Sequence, residues 1–579
     1  MNSVVIELLQ GTVHLSRQGT PEWHLKELEE QLGARGVPVE RAHLIGELLA
    51  LPLPEGSPLH QLIPERRRDL AFEALRDLLL QRTQERPVLV TVEDLHWAYS
   101  THLEFLSFLL DSIERQRLLV VLSARPEFRP PWSRHAWDHQ LTLERLGAGQ
   151  ASALVKEVPG ARQLPAELVQ ELVSRTDGIP LFIEEMTRMV LERAPSTGGA
   201  LESLPHSIPI TLHELLLARL DTLPSRQKGL ARLCAVVGRG FTSSFLSALS
   251  EQGDAVLQRE LSGLVDAGLL QEQRESGGLG YEFRHALIQE AAYQSLARGV
   301  RRQYHLRIAR ALVEHSPKVA LEQPEVLAHH HTEAGDVVPA LHYWAQAGRR
   351  AALHSANQEA VGYLSRALEL LRRLPDSEQR RREELQIQVA LGIPLVQLRG
   401  YRAPEVEHAF ARVRELFYSM GEVLPRLELA YWGIYSYHFA RGEYPLAHEL
   451  AEWLVKVGGR QHDPELLAQG YRMMATDLFF WGQLRESLEH FEHAMALSNF
   501  DLEHHRALAL RHWANPLTTA LAHSSIVLAM LGQPDRSRQR AWESLELARR
   551  IGHPHTIAYA LTYSAVASQF RRDVHLALS

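Results

Sequence analysis

The first part of the chain alternates short apolar runs with helical spacing. An apolar, β-branched run at Val88–Val92 is followed by a helical pattern that begins at Ser100, and a second apolar run covers residues 118–122. A strand, a helix and a second strand in close succession form a βαβ unit with parallel strands. Because both runs are almost wholly apolar, the pattern predicts strands that are buried on both faces. A further strand-like run occurs at residues 4–9.

Beyond this unit the spacing of apolar residues is mainly helical. Residues 147–195 predict helices, the composition of 194–207 predicts a linker, and residues 208–268 predict several short amphipathic helices. Two short strand patterns then flank the glycine-rich sequence SGGLG. Helices followed by two strands and a turn predict a winged helix. From residue 301 onward only helical patterns follow.

The helical part contains an internal repeat. Gly335 is followed by Ala340, Trp344 and Ala347, and the same offsets recur at Gly482, Ser487, Phe491 and Ala494. Partial copies occur at Gly442, Ala447 and Ala451, and at Gly532, Ser537, Ala541 and Ser544. Small residues on one helix face let a paired helix approach closely. These offsets predict long or divergent repeats of the tetratricopeptide type, and the usual function of such arrays is to bind a partner.

The strongest candidate for chemistry is the end of the first strand, where Glu93 and Asp94 follow Val92. In parallel sheets, ligands bind beyond the carboxyl ends of the strands. Two acids at this place are typical of a Walker B element, in which one carboxylate holds Mg²⁺ and the other orients the attacking water. The alternative is a solvated strand end. Arg125, after the second strand, is either a γ-phosphate sensor or a surface ion-pair residue.

Two further motifs have a functional and a structural interpretation. Gly178, Ile179 and Pro180 form either a rigid turn that packs against an adenine or a simple stop between helices. The run His329, His330 and His331 contains three metal-binding side chains. Consecutive residues on a helix point in different directions, so we expect a helix surface there and no metal site.

Composition narrows the class of protein. The 579 residues carry 62 basic and 70 acidic side chains, a net charge of −8, which does not favour a protein that coats nucleic acid. None of the five lysines follows a glycine, so the P-loop motif G-x-x-x-x-G-K-[ST] does not occur. The single cysteine, Cys234, excludes an internal disulfide and a cysteine-based zinc site. No signal peptide or membrane-spanning run is evident, which predicts a cytoplasmic protein without a membrane partner.

Several motifs taken in order resemble one known architecture. They are PVLVTVEDLHWAYSTHLEFL, LLVVLSARPEFRPPW, TDGIPLFIEEMTRMVLE, YEFRHALIQEAAYQSL and LAHHHTEAGDVVPALHYWAQAG. The set resembles the P-loop ATPase and tetratricopeptide-repeat region of STAND-class bacterial signalling proteins. This region often follows the catalytic domain of class III adenylate or guanylate cyclases, and sometimes a Ser/Thr kinase domain.

The resemblance implies a fold class of α/β followed by all-α. It implies an incomplete P-loop NTPase core at residues 1–146 and a helical lid with linker at 147–200. A winged-helix domain would cover 201–300, and tetratricopeptide-like repeats 301–579. Glu93 and Asp94 would be catalytic and would hold Mg²⁺ if nucleotide binds, while Arg125, Gly178 and Pro180 would contact ATP or ADP. In the family, nucleotide exchange is thought to switch a closed form to an open, often oligomeric one.

The chain departs from the family pattern at two places. Tyr99 stands where the family usually has aspartate, and the P-loop that should precede the βαβ unit falls before Met1. We therefore expect a regulatory and scaffolding module derived from an ATPase, whose repeats bind a protein partner. One alternative is the C-terminal part of a cyclase or ATPase whose P-loop and catalytic domain come from an upstream segment, so enzymatic activity stays open. A second alternative is a transcription regulator that binds DNA through the winged helix, which its acidic third helix disfavours.

Overall fold

The structure is a computed structural model, and helices dominate it. It describes residues 21–49, 51, 53–54, 57, 59, 62, 64–98, 100–133, 138–158, 164–193, 211–250, 253–275, 278–420, 428–498, 501–512 and 514–573. The predicted strand at 4–9 and Tyr99 lie outside these ranges. The chain divides into two compact units, one formed by Met1–Pro131 with Leu341–Ser579 and the other by Trp132–Ala340.

The first unit begins with helices around a small parallel sheet. Its elements are α1 (Pro21–Gly33), α2 (Val39–Leu48), α3 (Pro64–Glu85), β1 (Val88–Val92), a 3₁₀ turn (Leu95–Trp97), α4 (Ser100–Leu110) and β2 (Leu118–Leu122). The two strands pair in parallel, from Val88 opposite Leu118 to Val92 opposite Leu122. The βαβ unit predicted from the sequence is therefore confirmed.

The prediction that both faces of these strands are buried is wrong. Val90 and Val92 are buried, but Leu89 and Thr91, which alternate with them along β1, are exposed. Leu89 is 61% exposed, and its neighbours on β2, Leu119 and Val121, are 62% and 48% exposed. Burial alternates with period two because one face of the two-stranded sheet is covered and the other meets solvent.

The second unit contains a helical cluster followed by a mixed helix and sheet region. The cluster consists of α5 (Ala148–Glu157), α6 (Ala166–Thr176) and α7 (Pro180–Arg193), which share a core that includes Val155, Leu172 and Ile183. Next come α8 (Leu212–Thr222), α9 (Ser225–Val237), β3 (Gly240–Thr242), α10 (Ser243–Leu249), α11 (Asp254–Asp266), β4 (Leu270–Glu275) and β5 (Gly278–Phe283). The unit continues through α12 (Ala286–Gln294), α13 (Arg298–His315), α14 (Pro317–Glu322) and α15 (Pro324–Ala334).

The three strands of the second unit form an antiparallel sheet in the order β3-β5-β4. The pairing of β4 with β5 confirms the two strands that were predicted around SGGLG. Strand β3 pairs with β5 and was not predicted. Cys234 lies fully buried in the core beside this sheet, where burial raises the pKa of its thiol.

The rest of the chain is a helical array. It begins with α16 (Val337–Leu353), in which the division between the units falls. It continues with α17 (Asn357–Leu371), α18 (Glu378–Arg399), α19 (Pro404–Met420), α20 (Glu428–Ala440), α21 (Tyr444–Gln461), α22 (Pro464–Phe480), α23 (Leu484–Leu497), α24 (Leu502–His512), α25 (Pro516–Met530), α26 (Pro534–Ile551) and α27 (Pro554–Arg571). Among the helices of the described ranges, none has the length and apolarity needed to span a bilayer.

The repeat residues predicted from sequence occupy equivalent positions in the array. Gly442, Gly482 and Gly532 all have φ between +73° and +79°, a left-handed turn that glycine adopts without strain. The small residues five positions later are buried, and two of them are serines that make the same hydrogen bond. Ser487 donates to the carbonyl of Ala475 at 2.7 Å, and Ser537 donates to that of Ser525 at 2.6 Å. The array therefore consists of helical repeats that resemble a tetratricopeptide solenoid.

Candidate functional site

The carboxyl edge of the parallel sheet carries the two predicted acids. Glu93 is exposed and Asp94 is half-buried. Asp94 has φ of 56° and ψ of 44°, a left-handed conformation that is uncommon for residues other than glycine. Its amide donates to the Ser123 hydroxyl at 3.2 Å, and the next amide, of Leu95, donates to the Ser123 carbonyl at 2.9 Å. The turn after β1 is therefore fixed by the end of β2.

Arg125 follows β2 and is exposed. Because β1 and β2 run in parallel, Arg125 and the two acids lie at the same edge of the sheet, as the sequence predicts. The Arg125 carbonyl accepts the amide of Phe128 at 3.0 Å, which closes a tight turn immediately after the strand. The assignment of Walker B and sensor roles to these residues stays a prediction.

In the second unit, Gly178 lies in the buried turn between α6 and α7. Its φ is +68°, and a Cβ there would lie 2.3 Å from the Leu146 carbonyl oxygen. The Gly178 carbonyl in turn accepts the Leu146 amide at 2.8 Å. Glycine is thus required at position 178 because the backbone at Leu146 lies too close for a Cβ. This structural reason is independent of any nucleotide. Pro180 is exposed and is the first residue of α7, a position where its missing N–H costs nothing. Contact of either residue with an adenine stays a prediction.

Helix α11 in the second unit is the helix that the DNA-binding alternative would use. Its charged residues are Asp254, Arg259, Glu260 and Asp266, so acids outnumber bases. Phosphate recognition depends on basic side chains that displace counterions. The charge of this helix therefore does not support a DNA interface.

The histidine run was predicted to lie on a helix surface, and this is wrong for two of its members. His330 and His331 are buried, while His329 is exposed. The Nδ1 atoms of His330 and His305 lie 2.8 Å apart, and the His305 Nε2 lies 3.0 Å from the Tyr293 hydroxyl. Burial lowers the pKa of His305 to about 4. The described residues contain no cluster suited to a metal ion.

The helical array of the first unit contains a cavity of about 300 Å³. Its walls come from α18, α19, α20, α22, α25 and α27 and are largely apolar or aromatic: Ile393, Val396, Phe410, Trp432, Pro516 and Tyr559. Ile393 and Tyr401 at its rim are 39% and 38% exposed, so the cavity opens to solvent. A volume near 300 Å³ is at the lower end of small-ligand sites.

A buried arginine is among the residues that line this cavity. Arg472, on α22, is only 6% exposed. Its Nε–H donates to the Gln469 Oε1 at 3.1 Å, and the guanidinium lies 5.0 Å from the centroid of the Trp432 ring. No carboxylate of the described residues forms an ion pair with Arg472. The buried Gln469 Nε2 also has no hydrogen-bond partner among them. Two sets of donors therefore face the cavity unpaired.

The polar groups around Arg472 are engaged with other partners or neutral. Asp477 is fully buried, but its Oδ1 accepts the Tyr435 hydroxyl at 2.9 Å and its Oδ2 lies 3.5 Å from His448 Nδ1. Burial, together with nearby Arg472, lowers the pKa of His523 to about 3 and keeps that ring neutral. Burial lowers the pKa of Arg472, and the nearby tyrosines Tyr435, Tyr559 and Tyr431, together with Asp477, partly oppose that effect without forming a salt bridge.

No sequence motif points to Arg472 or Gln469. On a helix of an all-helical array, an isolated arginine is typical of a solvated face. The only local signal is that both residues fall on the same side of α22, three positions apart, among apolar neighbours. Five other helices, from distant parts of the chain, line the same cavity.

The chain is similar to one protein family and to several known proteins. Residues 147–194 match a family described as a Domain of unknown function (DUF8739). An uncharacterized protein of Rhizobium meliloti (strain 1021) is 26% identical over 525 residues, which cover 88% of this chain and 50% of that protein. The chain thus spans about half the length of the curated relative it matches.

Three solved structures are similar at low identity. A Signal Transduction ATPase with Numerous Domains (STAND) protein with a tetratricopeptide repeat sensor, from Pyrococcus horikoshii, matches with 13% identity and a TM-score of 0.34, over 98% of this chain and 83% of that one. NprR in complex with its cognate peptide NprX gives 12% identity and a TM-score of 0.29, over 58% and 84% of the two chains. A Rap protein complexed with Competence and Sporulation Factor gives 10% and 0.31, over 63% and 85%.

Proposed function

We propose that this chain is a regulatory and scaffolding module of a bacterial signalling protein, derived from a STAND-class ATPase, whose helical array binds a protein partner. The observation that carries the proposal is the largely apolar cavity in the array, which is lined by the buried Arg472, a residue that forms no salt bridge with the described residues. A buried charge without a counterion costs stability. Such a cost is expected where a residue is retained for binding.

The proposal assigns no ATP turnover to the chain alone. The acids Glu93 and Asp94 stand at the sheet edge, but the sequence contains no Gly-Lys pair to cradle a phosphate. We expect isothermal titration of the purified chain with MgATP to give no binding heat. Micromolar binding, together with turnover that Asp94→Asn abolishes, would contradict the regulatory assignment.

Partner binding by the array can be tested with a variant that fills the cavity. Ser436, on α20, lines the cavity, and Ser436→Phe adds a ring to it. Ser419→Phe, at an exposed serine of α19, is the matched control. Each full-length chain is used as bait in a lysate of its source organism, and bound proteins are quantified by mass spectrometry. We expect one partner to be lost at least tenfold with Ser436→Phe only. Identical capture by both variants and the unaltered chain would refute the proposal.

A second candidate is favoured by the exposed face of the parallel sheet. Parallel sheets are normally covered on both faces, yet Leu89, Leu119 and Val121 meet solvent here. We infer a partner segment, encoded upstream, that covers this face and supplies the P-loop to Glu93 and Asp94. The assembled protein would then be an ATPase or part of a cyclase, with Mg²⁺ held by these acids.

The second candidate predicts a specific complex. If an in-frame upstream segment with G-x-x-x-x-G-K-[ST] exists, we expect its coexpression to give a stable complex that hydrolyses ATP. Leu119→Asp should prevent assembly, because it places a charge on the covered apolar face. Asp94→Asn should leave assembly intact and abolish turnover. An assembly that Leu119→Asp does not weaken would exclude this face as the docking surface.

A further inference from the structure

The cavity of the helical array is lined by two hydrogen-bond donors and by apolar side chains. The donors are the guanidinium of Arg472 and the amide of Gln469, whose Nε2 has no hydrogen-bond partner among the described residues. A guanidinium presents its N–H groups in a planar fork that matches a carboxylate. An amide NH₂ beside it can donate to one of the same carboxylate oxygens. The complementary ligand group is therefore an acceptor that carries negative charge.

The position of the guanidinium is fixed before any ligand binds. Its Nε–H is held by the Gln469 Oε1, and one face of the guanidinium lies over the Trp432 ring. Both anchoring groups are themselves part of the cavity wall. A donor that is already oriented loses little side-chain entropy on binding, which favours affinity for a small ligand.

The remainder of the cavity determines what the carboxylate is attached to. Phe410, Tyr559 and Ile393 line the space beyond the arginine. A volume of about 300 Å³ holds roughly ten to fifteen non-hydrogen atoms, given about 30 Å³ for a liquid water molecule. An apolar or aromatic group of one ring with a short linker fills this space, whereas a folded protein segment does not.

We propose that this cavity binds a carboxylate borne on a small apolar or aromatic body, with Arg472 and Gln469 as the residues that recognise the carboxylate. The proposal rests on the proposed function, because it names the ligand class of the array. The carboxylate belongs either to a free acid or to the C-terminal residue of a peptide with an apolar side chain. In both cases the same donors and the same apolar walls are used.

The test uses the full-length chain and pairs of probes that differ in charge. 3-Phenylpropionate and 3-phenylpropionamide have the same shape, and N-acetylphenylalanine with its amide represents the end of a peptide. Binding is measured by ligand-observed NMR and titrated for affinity. We expect at least one acid to bind, and its amide to bind at least tenfold more weakly. Binding of the free acid alone, or of the peptide-like acid alone, identifies the source. Equal binding of acid and amide, or no binding by any acid, would overturn the proposal.

Variants connect that binding to the named residues. Arg472→Met and Gln469→Met should each weaken the acid at least tenfold and leave the amide unchanged. The matched control is Arg366→Met, because Arg366 also lies over a tryptophan, Trp344, at 4.8 Å but does not line the cavity. Unchanged acid affinity in both cavity variants would refute the assignment.

The carboxylate-binding test and the partner-capture test can fail independently of each other. If no carboxylate binds but Ser436→Phe still removes a protein partner, the ligand class is wrong and the regulatory role stands. If the acids bind while Ser436→Phe and Ser419→Phe capture the same proteins, the cavity is a small-molecule site and the protein-partner proposal is wrong.

Discussion

The buried histidine pair of α13 and α15 links the stability of the second unit to pH. His305 shares a hydrogen bond with His330, and burial, reinforced by nearby His329 and Arg301, lowers its pKa from the usual 6.5 to about 4. A group whose pKa is lowered in the folded state stabilises it above the unfolded value and loses that effect as pH falls towards the folded value. The stability contributed by His305 is therefore complete above pH 6.5 and declines down to about pH 4.

We expect the free energy of unfolding to fall by about 2 kcal/mol between pH 7.5 and pH 5 through His305 alone. Urea denaturation followed by circular dichroism measures this change. His305→Gln should reduce the pH-dependent loss by about 1 to 2 kcal/mol, whereas His315→Gln, at an exposed position of the same helix, should not. An equal pH dependence in both variants would contradict the role of His305.

Individual residues show where sequence reasoning succeeds. Gly482 and Ser487 were found because close helix packing needs small residues at fixed offsets, and both have the expected environment. Arg472 and His330 were not found, because burial of a polar side chain depends on helices that are distant in sequence. The roles of Arg472 and His330 can be inferred only from the residues that surround them in the structure.

At the scale of elements, glycines in the array determine how closely two helices approach. A Cβ on Gly470, in α22, would lie 2.9 Å from the Val455 amide nitrogen and 3.1 Å from the Ala451 carbonyl oxygen, both in the backbone of α21. A helix backbone cannot move aside as a flexible side chain can. Gly470→Ala must therefore separate the two helices.

We expect Gly470→Ala to lower the free energy of unfolding by about 1 to 3 kcal/mol, the usual cost of overpacking. The matched control is Gly459→Ala in α21, where a Cβ would meet no atom within 4 Å. There alanine should stabilise by about 0.5 to 1 kcal/mol, because it restricts the unfolded chain and favours helix. Urea denaturation distinguishes the two. Similar effects of both substitutions would show that the α21–α22 distance is not limited by Gly470.

The positions of helices and strands were predicted better than the burial of their faces. The bounds Val88–Val92 and the strand pair around SGGLG follow from local patterns and agree with the structure. Strand β3 was missed because three residues, Gly240–Thr242, are too short to give a period-two signal. The burial of both faces of β1 was wrongly predicted. An apolar run shows that both faces of a strand could be buried, but it does not show whether other elements of the chain cover both faces.

At the scale of the whole chain, the helix that follows the predicted Walker B acids is fixed by the helical array. Both belong to the first unit. The Thr101 amide and hydroxyl, in the first turn of α4, donate to the Glu359 Oε1 on α17 at 2.9 and 3.0 Å. Nearby, the Arg68 guanidinium donates to the Ser355 carbonyl at 2.8 Å and pairs with Glu104 at 3.1 Å. No local pattern could predict a contact between residues 258 positions apart.

This contact predicts how a change in the array reaches the sheet edge. The Glu359 carboxylate caps the N-terminus of α4, where negative charge is stabilising and where a lost cap costs about 1 to 2 kcal/mol. We expect Glu359→Ala to speed hydrogen exchange of the Thr101–Glu104 amides about tenfold, while the α22 amides keep their protection. Glu369→Ala, at an exposed position of the same helix, should change neither. Unaltered exchange in α4 would mean that the array does not hold this helix in place. If exchange does respond, a ligand that shifts α17 would act on α4, the helix that follows Glu93 and Asp94 in sequence. It would act through the capping contact of Glu359 and without any nucleotide.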